Sequence, residues 1–183
     1  YYDEDDDPST FGCRIESEAF SVGFKVFRGD YITLDSTQPL SALRRVGGTI
    51  CFAPSDAMMN FAGLERLEYV GEHFLIMGRS DVNMFPGPPI SLTGLERLSR
   101  VEGIFSNDTK PVESFMPSRP ITSTTPLTSL ESVGTLYLLL DETFQNFDGL
   151  QNLVEIQEDL LLLASYDTPS PLMLSLQGLN NLT

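Results

Sequence analysis

The stretch Leu127-Thr-Ser-Leu130-Glu-Ser-Val133-Gly134-Thr-Leu-Tyr137-Leu-Leu139 is followed, 23 residues on, by Leu150-Gln-Asn-Leu153-Val-Glu-Ile156-Gln-Glu-Asp-Leu160-Leu-Leu162. Both read as Leu, a second Leu three residues later, Val or Ile three after that, then an apolar run of strand length. Working outward, the same phase recurs at Leu40, Leu43, Val46 and Ile50, at Leu64, Leu67, Val70 and Phe74, and at Leu95, Leu98, Val101 and Phe105. Leu179 and Leu182 begin a sixth copy that stops before its strand. First leucines lie 24, 31, 32, 23 and 29 residues apart, so a fixed core phase is joined by segments of variable length. Units of this size bury their apolar edges only against neighbouring copies, and the extra residues become loops outside the stack.

Each copy also has a constrained lead-in. Gly63, Gly94, Gly149 and Gly178 directly precede a first Leu, and Pro39 and Pro126 stand at that position in two other copies. A site that takes Gly or Pro predicts a turn. An amphipathic helix is the competing account of Leu-x-x-Leu. It fails because Gly recurs between the Val/Ile and the strand, and because 23 residues cannot hold a helical hairpin plus these turns.

The pattern apolar-x-Gly-Leu-x-x-Leu-x-x-Val/Ile-x-Gly-x-Leu-x-Ile resembles the receptor L domain, a relative of leucine-rich repeats found in receptor ectodomains and in fungal and protist surface proteins. The likeness spans about residues 20–183. It implies a mainly β fold, a short right-handed parallel β-solenoid of about five to six repeats with long loop insertions. It implies a ligand-binding module as well, but this chain lacks the further cysteines of receptor versions, and no ligand-contacting residue carries over by motif.

The chain of 183 residues divides into an acidic arm (1–10), a divergent capping unit (11–36) and the repeats (37–183). Asp3, Glu4, Asp5, Asp6 and Asp7 predict an unpacked arm, with a loose calcium site as the sharper alternative. Eleven basic against 26 acidic residues give a net charge of −15, which repels phosphate backbones and anionic lipid, so no nucleic-acid partner is expected. No apolar run approaches the roughly 20 residues that cross a bilayer, so no membrane insertion is expected in this segment. The start at Tyr1 without Met fits a removed leader or a piece of something longer. Cys13 and Cys51 fit an oxidised pair, which would join cap to body and contribute about 4 kcal/mol through loop closure. Asn107-Asp-Thr109 and Asn181-Leu-Thr183 are glycosylation sequons. Together these features predict a secreted or cell-surface protein.

Side chains alternate faces along a strand. Ten residues after each first Leu stand Ile50, Phe74, Phe105, Tyr137 and Leu160, with Tyr31 in the cap, an inward stack. Two further on stand Phe52, Ile76, Asn107, Leu139 and Leu162, also inward, with the third strand cut short at Asn107 so that its sequon reaches solvent. The intervening rows face outward and yet are apolar: Ile32, Leu34, Leu75, Met77, Leu138, Leu140, Leu161 and Leu163. Such a stripe exceeds what a soluble monomer exposes. Either the chain's own loops cover it or it is a protein interface, to another copy or a different partner.

Three insertions, 78–91, 107–126 and 164–175, are the loops most suited to carry function. Their Phe85, Phe115, Met116 and Tyr166 serve as binding contacts or as tethers packing the loops down. Catalytic signals are sparse: His73 is the single His, and no metal-ligand spacing or phosphate loop occurs, so no cofactor is expected. Glu72, Asp81, Asp141 and Asp159 are the carboxylates a β-helical carbohydrate-active enzyme would use, and also ordinary solvated turn residues. The sequence therefore points to a non-enzymatic extracellular recognition or adhesion module with protein partners and glycans as a second class. A structural subunit of a wall or filament, assembling through the apolar face, is the alternative, and the enzyme is the third reading.

Overall fold

The computed structural model describes residues 35–52, 54–76, 88–107, 119–164 and 175–183. Among these the chain is mainly β, and the single helical element is the three-residue 3-10 turn Gln38–Leu40. The strands are β1 (Arg45–Val46), β2 (Ile50–Phe52), β3 (Tyr69–Val70), β4 (Phe74–Ile76), β5 (Arg100–Ser106), β6 (Ser132–Leu140), β7 (Glu155–Ile156) and β8 (Leu160–Ala164). The acidic arm, the capping unit and Cys13 lie outside the described residues, as do Ile32, Leu34 and Met77.

Among the described strands every pairing is parallel, and each lateral step is one copy of the repeat in chain order. The first row runs Val46, Val70, Val101, Val133, Ile156. The second runs Ile50, Phe74, Phe105, Leu136, Leu160. Strands β5 and β6 pass through both rows, which makes one eight-stranded sheet that does not close on itself. A third line of parallel bridges joins Ile90, Ile121 and Leu140.

The Leu-x-x-Leu segments are linked turns and not helices. In each copy the first Leu donates to the carbonyl three residues back and the second Leu donates to the first, as in Leu64 to Phe61 at 2.9 Å and Leu67 to Leu64 at 2.8 Å. The next residue bonds across to the preceding copy. Glu68 donates to Arg44 at 2.8 Å, Ser99 to Glu68 at 2.9 Å, Glu131 to Ser99 at 2.8 Å, Val154 to Glu131 at 2.9 Å, and Thr183 to Val154 at 3.2 Å. The backbone polar groups at this corner are thus satisfied by the stack itself.

The lead-in glycines have φ between +102° and +110°, a conformation that L side chains rarely adopt. A Cβ on Gly149 would also strike the Thr124 carbonyl oxygen of the preceding corner. Where Pro replaces Gly the corner is held differently. Buried Thr37 and Thr124 take the place of Phe61 and Phe147, and their hydroxyls donate to Ala62 O at 2.7 Å and Asp148 O at 2.9 Å.

Packing follows the repeat. Leu64, Leu95, Leu127 and Leu150 are fully buried in one continuous hydrophobic cluster, and Leu40 and Leu182 pack against it at the ends. Phe52, Phe61, Phe74 and Phe105 pack ring against ring within it, with Phe74 and Phe105 stacked at 5.1 Å between centroids.

A constant offset from the first Leu fails in one strand. Between the first and second rows β6 has one residue fewer than its neighbours: Val133 to Leu136 spans three steps, while Val101 to Phe105 and Ile156 to Leu160 span four. Strand β5 absorbs the difference as a bulge between Val101 and Ile104. Every later side chain of β6 therefore changes face relative to the expectation. Leu136, Leu138 and Leu140 point into the core, whereas Tyr137 and Leu139 occupy the outward row. The expected outward placement of Leu138 and Leu140 and inward placement of Tyr137 and Leu139 are corrected accordingly.

Candidate functional site

The second strand row is where the sequence placed its candidate interface. With β6 in its true register the outward row reads Cys51, Leu75, Ser106, Tyr137 and Leu161, with Leu139 and Leu163 beyond. Cys51, Ser106, Tyr137 and Leu139 are buried, Leu75 and Leu163 half-buried, and Leu161 is 42% exposed. Among the described residues most of this row is thus buried, and Leu161 is its most exposed member. Cys51 lies on β2, and no described cysteine is free.

Of the two sequons the structure separates the asparagines sharply. Asn181 is exposed on the last corner. Asn107 is fully buried: its Nδ2 donates to Arg119 O at 3.0 Å and Leu139 O at 2.8 Å, while its Oδ1 accepts Leu139 N–H at 2.8 Å. The amide imitates a strand residue and continues the ladder beyond β5. The expectation that its sequon reaches solvent is corrected, because a glycan on Nδ2 needs both a replaced hydrogen and open space.

The candidate chemical groups are held by local partners. Glu72 is exposed and accepts the Thr49 hydroxyl at 2.9 Å. Buried Asp141 accepts Thr143 N–H at 2.7 Å and its hydroxyl at 2.6 Å, an Asx turn. Asp159 is exposed beside β8, and Asp81 lies outside the described residues. His73 is half-buried with Nδ1 accepting Ile104 N–H at 2.9 Å inside the β5 bulge, so that nitrogen is occupied as a structural acceptor. Among the described residues no three His, Cys, Asp or Glu are grouped to hold a metal ion, and no helix is long and apolar enough to cross a membrane.

Sequence reading missed Arg119. Its side chain is buried, with Nε donating to Pro88 O at 2.6 Å and Nη1 to Ser55 O at 2.9 Å and Met58 O at 2.7 Å. Burial lowers its pKa and Asp56 opposes that shift. The guanidinium ties together the segments that leave β2 and that precede Ile90, so the rim beside the second row is internally braced. Nothing local in Ser118-Arg119-Pro120 signals this, because the acceptors are backbone carbonyls about 30 and 60 residues away.

Three segments of variable length leave this rim, after Ile76, after Asn107 and after Ala164, each at the same end of a second-row strand. The described residues that precede these segments thus stand at the ends of parallel strands of one sheet. No family model, curated protein or solved structure matches the chain.

Proposed function

We propose that the chain is a short right-handed β-solenoid of the receptor-L-domain kind, with five copies and a sixth begun, acting outside the cell as a non-enzymatic recognition or adhesion module. The observation that carries this reading is the departure of all three variable segments from one rim of the stack. Loops set on a rigid scaffold are the usual carriers of binding specificity, and here all three start from parallel strands of one sheet. Protein partners fit first and glycans second. A Cys13–Cys51 disulfide and a glycan on exposed Asn181 belong to the same reading of an exported protein.

The test is to replace 108–118 by a Gly-Ser linker and screen parent and variant against extracellular protein and glycan arrays. Binding by the parent that is lost in the variant, with its thermal midpoint little changed, supports the proposal. Turnover of a polysaccharide that disappears on Asp159→Asn would replace it with the enzyme reading. A wall or filament subunit assembling through the apolar face is the second reading, favoured by the outward apolar residues that keep some exposure, Leu75, Leu161 and Leu163. The extensive cover over the remaining outward row and the net charge of −15 count against association of like copies. Particles larger than a monomer at micromolar concentration would favour it.

A further inference from the structure

His73 is the only histidine in 183 residues, and it meets the sheet where the register of the described strands shifts. It stands just before β4 and reaches the next copy, where β5 bulges between Val101 and Ile104. Gly103 N–H donates to Glu72 O at 2.7 Å, and the next amide, Ile104 N–H, donates to His73 Nδ1 at 2.9 Å. A bulge leaves its extra residue out of the ladder, and here an imidazole supplies the missing acceptor. The ring lies directly against Gly103, where a Cβ would strike it.

An acceptor of this kind exists only in the neutral ring, with its hydrogen on Nε2. Imidazolium carries a hydrogen on both nitrogens, so protonation sets Nδ1–H against Ile104 N–H across 2.9 Å. A carboxylate beside the ring would offset that loss, but those on the adjoining residues are committed elsewhere. Glu72 accepts the Thr49 hydroxyl at 2.9 Å, on the side of the preceding copy. Glu102 binds Arg100 at 2.8 Å and the Tyr69 hydroxyl at 3.3 Å. Glu158, which accepts the Thr135 hydroxyl at 2.9 Å, and Asp159 lie with β8, across β6. Among the described residues no carboxylate pairs with His73.

We infer that His73 and the β5 bulge form a pH-sensitive latch, closed by the neutral imidazole and released by imidazolium in mildly acidic surroundings. Histidine is the side chain whose ordinary charge change falls between about pH 5 and pH 8. The closed bulge excludes the proton and the open one admits it, so acid favours opening. Opening loosens β5 from Ile104 onward to Asn107, the residue that leads into 108–118. The latch is a property of that strand and does not rest on reading the segment after it as a binding loop.

The test uses the isotope-labelled whole chain and needs no ligand. At about pH 7.5 a scalar coupling joins Ile104 N and His73 Nδ1; at about pH 5 it is gone, while the couplings at the Glu131 and Val154 amides persist. Protection of the Ile104 amide against hydrogen exchange falls at least about 10-fold over the same interval, as expected for losing one hydrogen bond. His73→Asn, whose Oδ1 replaces Nδ1 as an acceptor that does not titrate, keeps that protection at both pH values. His73→Phe, which has no acceptor, shows the low protection at both. A coupling that survives after the imidazole resonances report protonation overturns the inference. So does an equal acid loss of protection in the parent and in His73→Asn.

Discussion

At the residue scale the stack tolerates Cβ atoms in some corners and not in others. Gly149 combines φ of +102° with the Thr124 carbonyl in the space a methyl would need, whereas a Cβ on Gly47 meets nothing within 4 Å. Gly149→Ala should lower stability by about 2–3 kcal/mol, from left-handed backbone strain and displacement of the neighbouring corner. Gly47→Ala should stay within about 0.5 kcal/mol, as an unstrained surface change does. Urea unfolding of both variants checks the contrast. Arg119→Met removes the donors from buried carbonyls and should cost at least about 3 kcal/mol; Arg119→Lys does not restore it, because one ammonium cannot span the same acceptors. Glu65 offers an acid-side test. Gly63 N–H donates to its carboxylate at 2.9 Å, and this bond, with its own backbone N–H second, lowers its pKa. Its contribution is therefore present above the unfolded carboxylate value, about 4.3, and is lost as pH falls through the folded one. Glu65→Gln, the residue type found at the matching Gln151, should flatten the fall in urea midpoint between about pH 5 and pH 3.

At the scale of the element the decisive feature is the missing residue of β6. Adding Gly between Gly134 and Thr135 gives β6 the spacing that both neighbours have, so the extra residue is accommodated at the bend and should cost under about 2 kcal/mol. Adding Gly between Tyr137 and Leu138 exchanges Leu138 and Leu140 with Leu139 across the sheet and should unfold the second row. Circular dichroism and urea titration distinguish the two outcomes. The same feature marks how far the sequence could be read. The corners, the parallel rows and the core leucines were legible because each repeats with a fixed phase. The facing of β6 was not, since face depends on counting through Val133-Gly134-Thr135 and not from Leu127. The pairing of Asn107 with β6 and the anchoring of Arg119 were invisible for a related reason: both occur once and bond to main chain, which leaves no side-chain partner to recognise. Of the expected outward row, Leu75, Leu161 and Leu163 keep their facing because their strands keep the common spacing, while Leu138 and Leu140 fell to the register.

For the whole molecule the account rests on copies stacked in chain order around one column of leucines. Leu127→Ala, at the middle of the column, should cost about 2–5 kcal/mol, the range for a buried Leu without room to collapse, and more than the same change at half-buried Leu40. The net charge of −15 should make the thermal midpoint rise as salt is added from low ionic strength, because screening relieves self-repulsion. The most direct measurement is the through-hydrogen-bond scalar coupling between amide nitrogens and carbonyl carbons in the isotope-labelled chain. The account predicts couplings from Glu68, Ser99, Glu131 and Val154 to Arg44, Glu68, Ser99 and Glu131 respectively. Couplings from these amides to carbonyls four residues earlier would make the Leu-x-x-Leu segments helices and contradict it.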